Sequence, residues 1–352
     1  MSDQKDTGKL ITLRRLFDGH CHFRLSPLLD LVLPQTARCA EFGVAMPNTR
    51  PRAILTGDDV TWYRNLIMRA LDKMENPTSF EPVMTIEVRD NTTPAMIIAA
   101  AAAGAKAAKA YVLGTTTNSD QGLRDFFSRG ITNTFSAMQD YGMRLLIHGE
   151  LNQSRLLVTK REQAFLPTLS QLAEKFPNLK IVLEHVSTKA AVELVKSLGP
   201  NVAATITAHH LCLTLNDVIG DGLRPHNACM PMPKDFDDRD ALIEAATSGN
   251  PKFFLGSDSA PHLRENKECA HGACGCYTAP ILPEVLTEIF EVAGRLENLE
   301  NYWANFGLAF YDLPARMTKI TMVKKIRRVP EIIDGVVPFR AGQYTFWQLF
   351  EE

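Results

Sequence analysis

Short runs of apolar and β-branched residues recur along the chain, and amphipathic stretches fill the gaps between them. The pattern predicts eight strands, ending near His20, Asn48, Val88, Val112, His148, His185, Thr207 and Asp258. Continuously apolar strands such as Phe253-Phe254-Leu255-Gly256 suit a sheet covered on both faces. Eight strands alternating with helices over roughly 250 residues predict an α/β fold, a (β/α)8 TIM barrel whose site lies at the C-terminal ends of its strands. One helix is well signalled by Thr93 as N-cap, Pro94 at the first helical position, an alanine-rich run over 95–103 and Gly104 as stop. A second is expected over 166–176. Beyond Asp258 a Cys/Gly-rich loop leads into helix-like sequence over 282–296 and a short β-like tail around 343–349. The chain, 1–352, therefore reads as one barrel domain with a helical C-terminal extension after about residue 280, without internal repeat or Gly/Ser linker.

Composition narrows the partners. The 352 residues include 38 basic and 40 acidic side chains with no basic face, so a nucleic-acid partner is not expected. The longest apolar stretch has nine residues, against the roughly 20 needed to cross a bilayer, so no membrane partner is expected either. Residues 1–9 are mostly polar, with nothing resembling a secretion signal, and seven cysteines, an odd number, suit reduced thiols. Both point to the cytoplasm. Cys269, Cys274 and Cys276 cluster with His271, but at irregular spacing, and a packed loop is expected there rather than a zinc knuckle.

The strongest local signal is Asp18-Gly19-His20-Cys21-His22-Phe23-Arg24. Residues i and i+2 of a strand share a face, so His20 and His22 point together from the end of the first strand, placed to share a metal. His148 ends Arg144-Leu145-Leu146-Ile147, His185 ends a second apolar run, and Asp258 ends a third. A buried carboxylate there needs a cationic neighbour. Four histidines and an aspartate at strand ends together favour a metal centre. Lys109 lies inside the otherwise uncharged Ala107-Ala108-Lys109-Ala110-Tyr111-Val112. It either forms a salt bridge or, kept neutral by desolvation, becomes a carbamate able to bridge two ions, and spacing alone leaves both open.

On these residues the chain resembles the amidohydrolase superfamily, and within it the single-domain class II dihydroorotases. The resemblance rests on His20-Cys21-His22-Phe23-Arg24, Met46-Pro47-Asn48-Thr49, Ala107-Ala108-Lys109 with Thr115-Thr116-Thr117-Asn118-Ser119, His148-Gly149-Glu150, Glu184-His185, Arg224-Pro225-His226 and Gly256-Ser257-Asp258-Ser259-Ala260-Pro261-His262. It implies two divalent ions, taken as Zn2+, bridged by N6-carboxylated Lys109. His20, His22 and Asp258 would hold one ion, and His148 and His185 the other. It further implies that Arg24, Asn48 and His262 grip a substrate carboxylate, that backbone near Met230 meets a pyrimidine amide edge, and that Thr116 and Thr117 belong to a mobile lid. Cys274 stands where the family usually has an alanine whose backbone touches the substrate. The implied reaction is the reversible cyclisation of N-carbamoyl-L-aspartate to L-dihydroorotate, with Asp258 as the proton carrier, in a homodimer. His209, His210 and His226 match no such role and are expected to be structural or supporting.

Three rivals follow from the same residues. A hydantoinase or dihydropyrimidinase would leave Arg24 without a carboxylate and usually carries an additional β-rich domain. A mononuclear deaminase has no use for Lys109. A catalytically silent barrel typically loses ligands, and every matched ligand position is filled here.

Overall fold

The computed structural model describes residues 8–76 and 78–350. Most of the polar N-terminal stretch considered above, residues 1–7, lies outside them. After a short strand β1 (Leu10–Arg14), eight parallel strands follow in chain order: β2 (Leu16–Cys21), β3 (Ala40–Ala45), β4 (Glu81–Val88), β5 (Ala107–Tyr111), β6 (Arg144–His148), β7 (Ile181–Leu183), β8 (Val202–Ile206) and β9 (Phe253–Leu255). Each pairs with the next, and helices fill the connections. The ring closes where β9 runs out alongside β2. There the amide of Asp258 donates to the carbonyl of His20 at 3.0 Å, and that of His22 to Ser259 at 3.2 Å. This is the (β/α)8 barrel expected from the apolar pattern, and its strands are buried almost throughout.

Local signals account for the connections. The helix Pro94–Ala102 starts with Thr93 accepting from the Met96 amide and ends before Gly104, whose φ of 93° suits a residue without Cβ. The helix expected over 166–176 begins earlier, at Arg161, and ends at Lys175.

Two expectations change. The stretch leading to His20 holds two strands rather than the one expected: it breaks at Arg15, and β1 pairs with β10 (Lys319–Arg328), which pairs with β11 (Tyr344–Leu349) in an antiparallel three-stranded sheet. The segment after residue 280 is accordingly not helical alone. Its helix Leu282–Val292 packs on β11, where the Trp347 indole, fully buried, donates to Glu291 at 2.9 Å. Among the described residues, no helix is long and apolar enough to cross a membrane.

Candidate metal centre and substrate pocket

The barrel strands stop one to three residues short of several side chains that define the site, so these hang from the first turns of the loops. β2 carries His20, and His22 follows immediately after its last residue. Their Nε2 atoms lie 3.1 Å apart, and Asp258 Oδ1 lies 3.3 Å from the first and 3.1 Å from the second. Three ligand atoms at these separations are what a zinc-sized ion demands, since bonds of about 2.0–2.2 Å at tetrahedral angles set ligands about 3.3 Å apart.

A second pair stands beside the first. His148 Nδ1 and His185 Nε2 face each other at 3.1 Å, and the rings of His185 and His20 are 5.1 Å apart. His148 turns its other nitrogen to Glu150 at 3.0 Å, the outer carboxylate that commonly orients a ligating imidazole. Burial, reinforced by neighbouring cationic groups, pushes His20, His22 and His185 well below the usual histidine range, so their lone pairs are free. The residues therefore fit two divalent ions.

Lys109 lies within this group and is wholly buried. Desolvation drives its ammonium well below the usual lysine range, only partly opposed by Asp258, and Nζ contacts Glu184 Oε2. The same carboxylate oxygen lies 3.0 Å from His20 Nδ1, off the hydrogen-bond direction, and Oε1 has no partner. Burial pushes Asp258 up to about 6, against the pull of Lys109 and nearby histidines.

Arg24, His185 and Asp258 have φ of 61°, 43° and 42°, a conformation that non-glycine residues rarely adopt and that clusters at functional sites. The surrounding hydrogen bonds hold it. Asp18 Oδ1 accepts from the amides of Ser257 at 2.8 Å and His20 at 3.1 Å, and Thr205 Oγ1 accepts from the amide of His185 at 2.7 Å.

A pocket opens over these side chains, lined by Arg24, Asn48, Thr116, Thr117, Met230 and Cys274 among others. His262 is not on that wall. It stands behind Arg24, with Nε2 3.2 Å from Nη2, and burial with the adjacent guanidinium pushes its ring down to about 2. Asn48 donates to the Thr117 carbonyl at 3.2 Å, Asn118 returns a bond to the Asn48 carbonyl at 2.9 Å, and Gly114, with φ of 70°, starts the loop. The Thr116–Thr117 loop thus rests over the pocket, fastened to the strand end that carries Asn48.

The structure adds residues that the sequence reading did not single out. Tyr111 lines the pocket with its hydroxyl unpartnered, and Ala260 and Gly275 complete the wall. Glu150 and Glu184 contact the histidines and Lys109. His210 spans from Thr207 Oγ1 at 2.9 Å to the Pro231 carbonyl at 2.9 Å, a supporting role behind Met230. His226 pairs with Glu268 at 2.9 Å.

No family model matches the chain. A dihydroorotase of Picosynechococcus is 43% identical over 344 residues, covering 96% of this chain and 98% of the relative. The Campylobacter jejuni dihydroorotase structure superposes with a TM-score of 0.89 at 35% identity, covering 98% of both chains. That of Saccharomyces cerevisiae, in complex with 5-fluoroorotic acid, gives 0.88 at 34% identity over 97% of this chain and 98% of its own. Similarity of this extent, in sequence and in backbone alike, means that the chain belongs to the dihydroorotase family.

Proposed function

We propose that the protein is a metal-dependent dihydroorotase, catalysing the reversible cyclisation of N-carbamoyl-L-aspartate to L-dihydroorotate in pyrimidine biosynthesis. The observation that carries this reading is the placement of Arg24 at the rim of a pocket whose floor gathers two histidine pairs, Asp258 and a desolvated lysine. His20, His22 and Asp258 would hold one divalent ion and His148 and His185 the other, with Zn2+ the proposed metal. Ions bound there would lower the pKa of a water and polarise a carbonyl.

The chain's own groups do the rest. Lys109, neutral in its apolar strand, would add to carbon dioxide through Nζ with release of one proton, giving an anionic two-oxygen group among the metal-binding side chains. Glu184 gives up its contact with Nζ as that group forms. Arg24 presents a planar fork to the substrate carboxylate, assisted by Asn48, while His262 stands behind it and accepts from Nη2. Backbone at Met230 and Cys274 meets the amide edge of the ring. Asp258 Oδ1 faces the histidines, which leaves Oδ2 to take the proton of the attacking water and hand it to the departing ring nitrogen. Thr116 and Thr117 close over the ring and exclude bulk water. A homodimer is carried over from the resemblance, and the cytoplasm rests on the odd number of cysteines, which suits reduced thiols.

The test is metal content and turnover on one metal-replete sample, with L-dihydroorotate, N-carbamoyl-L-aspartate and a neutral dihydropyrimidine as substrates. At least two ions per chain, with turnover of the acidic substrates alone, is the expected result. Activity confined to the neutral ring would overturn the substrate assignment, and an inert metal-replete chain would favour the silent barrel.

A further inference from the structure

A second cluster of metal-binding side chains lies behind the pocket wall. His209, from the helical turn Ala208–Cys212 after β8, meets Cys229 and Cys276, and one ligand atom from each lies within 4.8 Å of the other two. All three residues are buried, His209 and Cys229 completely. Neither ring nitrogen of His209 has a hydrogen-bond partner. A buried imidazole without partners is costly, and the adjacent His210 shows the ordinary arrangement, with both nitrogens bonded. Cys229 contacts the Pro231 carbonyl at 3.3 Å and His210 Nε2 at 3.7 Å, and Cys276 the His226 carbonyl at 3.5 Å.

The surroundings hold the two cysteines in place. Lys267 is buried and donates from Nζ to the Gly275 carbonyl at 2.6 Å and the Ala228 carbonyl at 3.3 Å, the groups immediately before Cys276 and Cys229. One cation thereby clamps both segments.

We propose that His209, Cys229 and Cys276 form a third metal site, separate from the binuclear centre, that takes one thiophilic d10 cation such as Zn2+. Two thiolates and a neutral imidazole are the donor set of zinc rather than of magnesium or calcium. On binding, each Sγ–H gives up its proton to solvent and forms an S–metal bond, while His209 contributes a lone pair already free. The ion lies directly behind Met230 and Gly275, the wall residues next to the two cysteines. The cysteine-rich loop thus contributes one ligand, Cys276, to a site assembled from three segments, and not a knuckle of Cys269, Cys274, Cys276 and His271, against which the irregular spacing already argued.

Cobalt distinguishes this site from the binuclear centre, whose proposed ligands supply nitrogen and oxygen but no sulfur. Wild-type protein saturated with Co2+ is expected to bind a third ion per chain with a thiolate-to-cobalt charge-transfer band. X-ray absorption at the cobalt edge is expected to show sulfur at about 2.3 Å. Cys276→Ser and His209→Gln should each weaken the third ion by at least about tenfold, since even outer partners of a ligand cost that much. Cys269→Ser, at an exposed position, should leave the band unchanged. Cobalt without sulfur neighbours in the wild type, a band that survives both ligand variants, or a Cys229–Cys276 disulfide in protein purified under reducing conditions would overturn the proposal. The wild-type absorption experiment decides even where a variant fails to fold. Failure of the binuclear reading would show differently, as lost turnover with the sulfur signal intact.

Discussion

The amide of Asp258 donates to the carbonyl of His20 at 3.0 Å, while the side chains of the same two residues converge to 3.3 Å. The bond that joins the last barrel strand to the first therefore also sets the distance between two proposed metal ligands. Ligand geometry at this seam is a property of the closed barrel, and a conservative change at Asp258 can alter chemistry without opening it.

Asp258→Asn keeps the backbone bond and an oxygen near His20 and His22 but removes the group that carries the proton. General acid–base catalysis contributes about 10²–10⁴-fold, so kcat should fall by that order. Metal content should remain at half or more of the wild-type value. Paired measurements of metal and turnover check this, and near-normal kcat with metal bound would remove Asp258 from its role.

Arg24 lines the pocket and contacts His262 through Nη2, the Pro261 carbonyl through Nε and His22 Nδ1 through Nη1. Arg24→Lys retains the charge but loses the planar pair of donors. Charge-assisted hydrogen bonds are worth about 1.5–3 kcal/mol, so KM for dihydroorotate should rise roughly 10- to 150-fold, with a smaller change in kcat. Steady-state kinetics separate the two. A fall in kcat alone would mean that the arginine acts on the reacting centre rather than on binding.

His262 gives a pH prediction. Its ring titrates near 2 in the folded chain against 6.5 for an ordinary histidine, because burial and the Arg24 guanidinium oppose a second charge. Below about 6.5 the unfolded chain takes up a proton that the folded chain refuses, so this group's contribution to stability is complete above that pH and declines as pH falls toward 2. At one pH unit below the unfolded value the loss is about 1.4 kcal/mol. Urea unfolding at pH 7.5 and 5.5 should therefore show His262→Gln losing about 1.4 kcal/mol less than wild type between the two. Equal losses would mean that the ring charges freely in the fold.

Much of this site is legible in the sequence because parallel barrel strands are apolar on both faces, and a histidine or lysine ending or interrupting such a run stands out. His20, His148, His185, Lys109 and Asp258 are conspicuous for that reason. Glu184 is not, because neighbours in a strand face opposite ways and it precedes His185 directly. The chain leaves the strand at Leu183 and turns through a φ of 43° at His185, which lets both side chains reach the site. The break between β1 and β2 is hidden by an apolar pattern that runs straight through it. Arg15 marks it only in three dimensions, where its guanidinium reaches the carbonyls of Ala37 and Ala40. β10 is masked by its basic residues, since only alternate positions such as Ile320 and Met322 are buried.

Gly256 shows how tightly two strands share this geometry. A Cβ added there would lie 2.7 Å from Thr205 Cβ and 2.8 Å from Cγ2, and Thr205 is both buried and β-branched, with little freedom to turn aside. Thr205 Oγ1 is the acceptor for the amide of His185, so displacement of this side chain moves a proposed ligand of the second ion, while strain at residue 256 reaches Asp258, two positions on. Overpacking of this kind costs about 1–3 kcal/mol. Gly256→Ala should lower the urea midpoint accordingly and weaken the ion at His148 and His185 more than a distant substitution of equal destabilisation. Gly130→Ala, where a Cβ meets nothing within 4 Å, is the matched control and should leave both properties close to wild type. Loss of stability in Gly256→Ala with metal affinity unchanged at both sites would show that the path from Gly256 through Thr205 to His185 does not carry the strain.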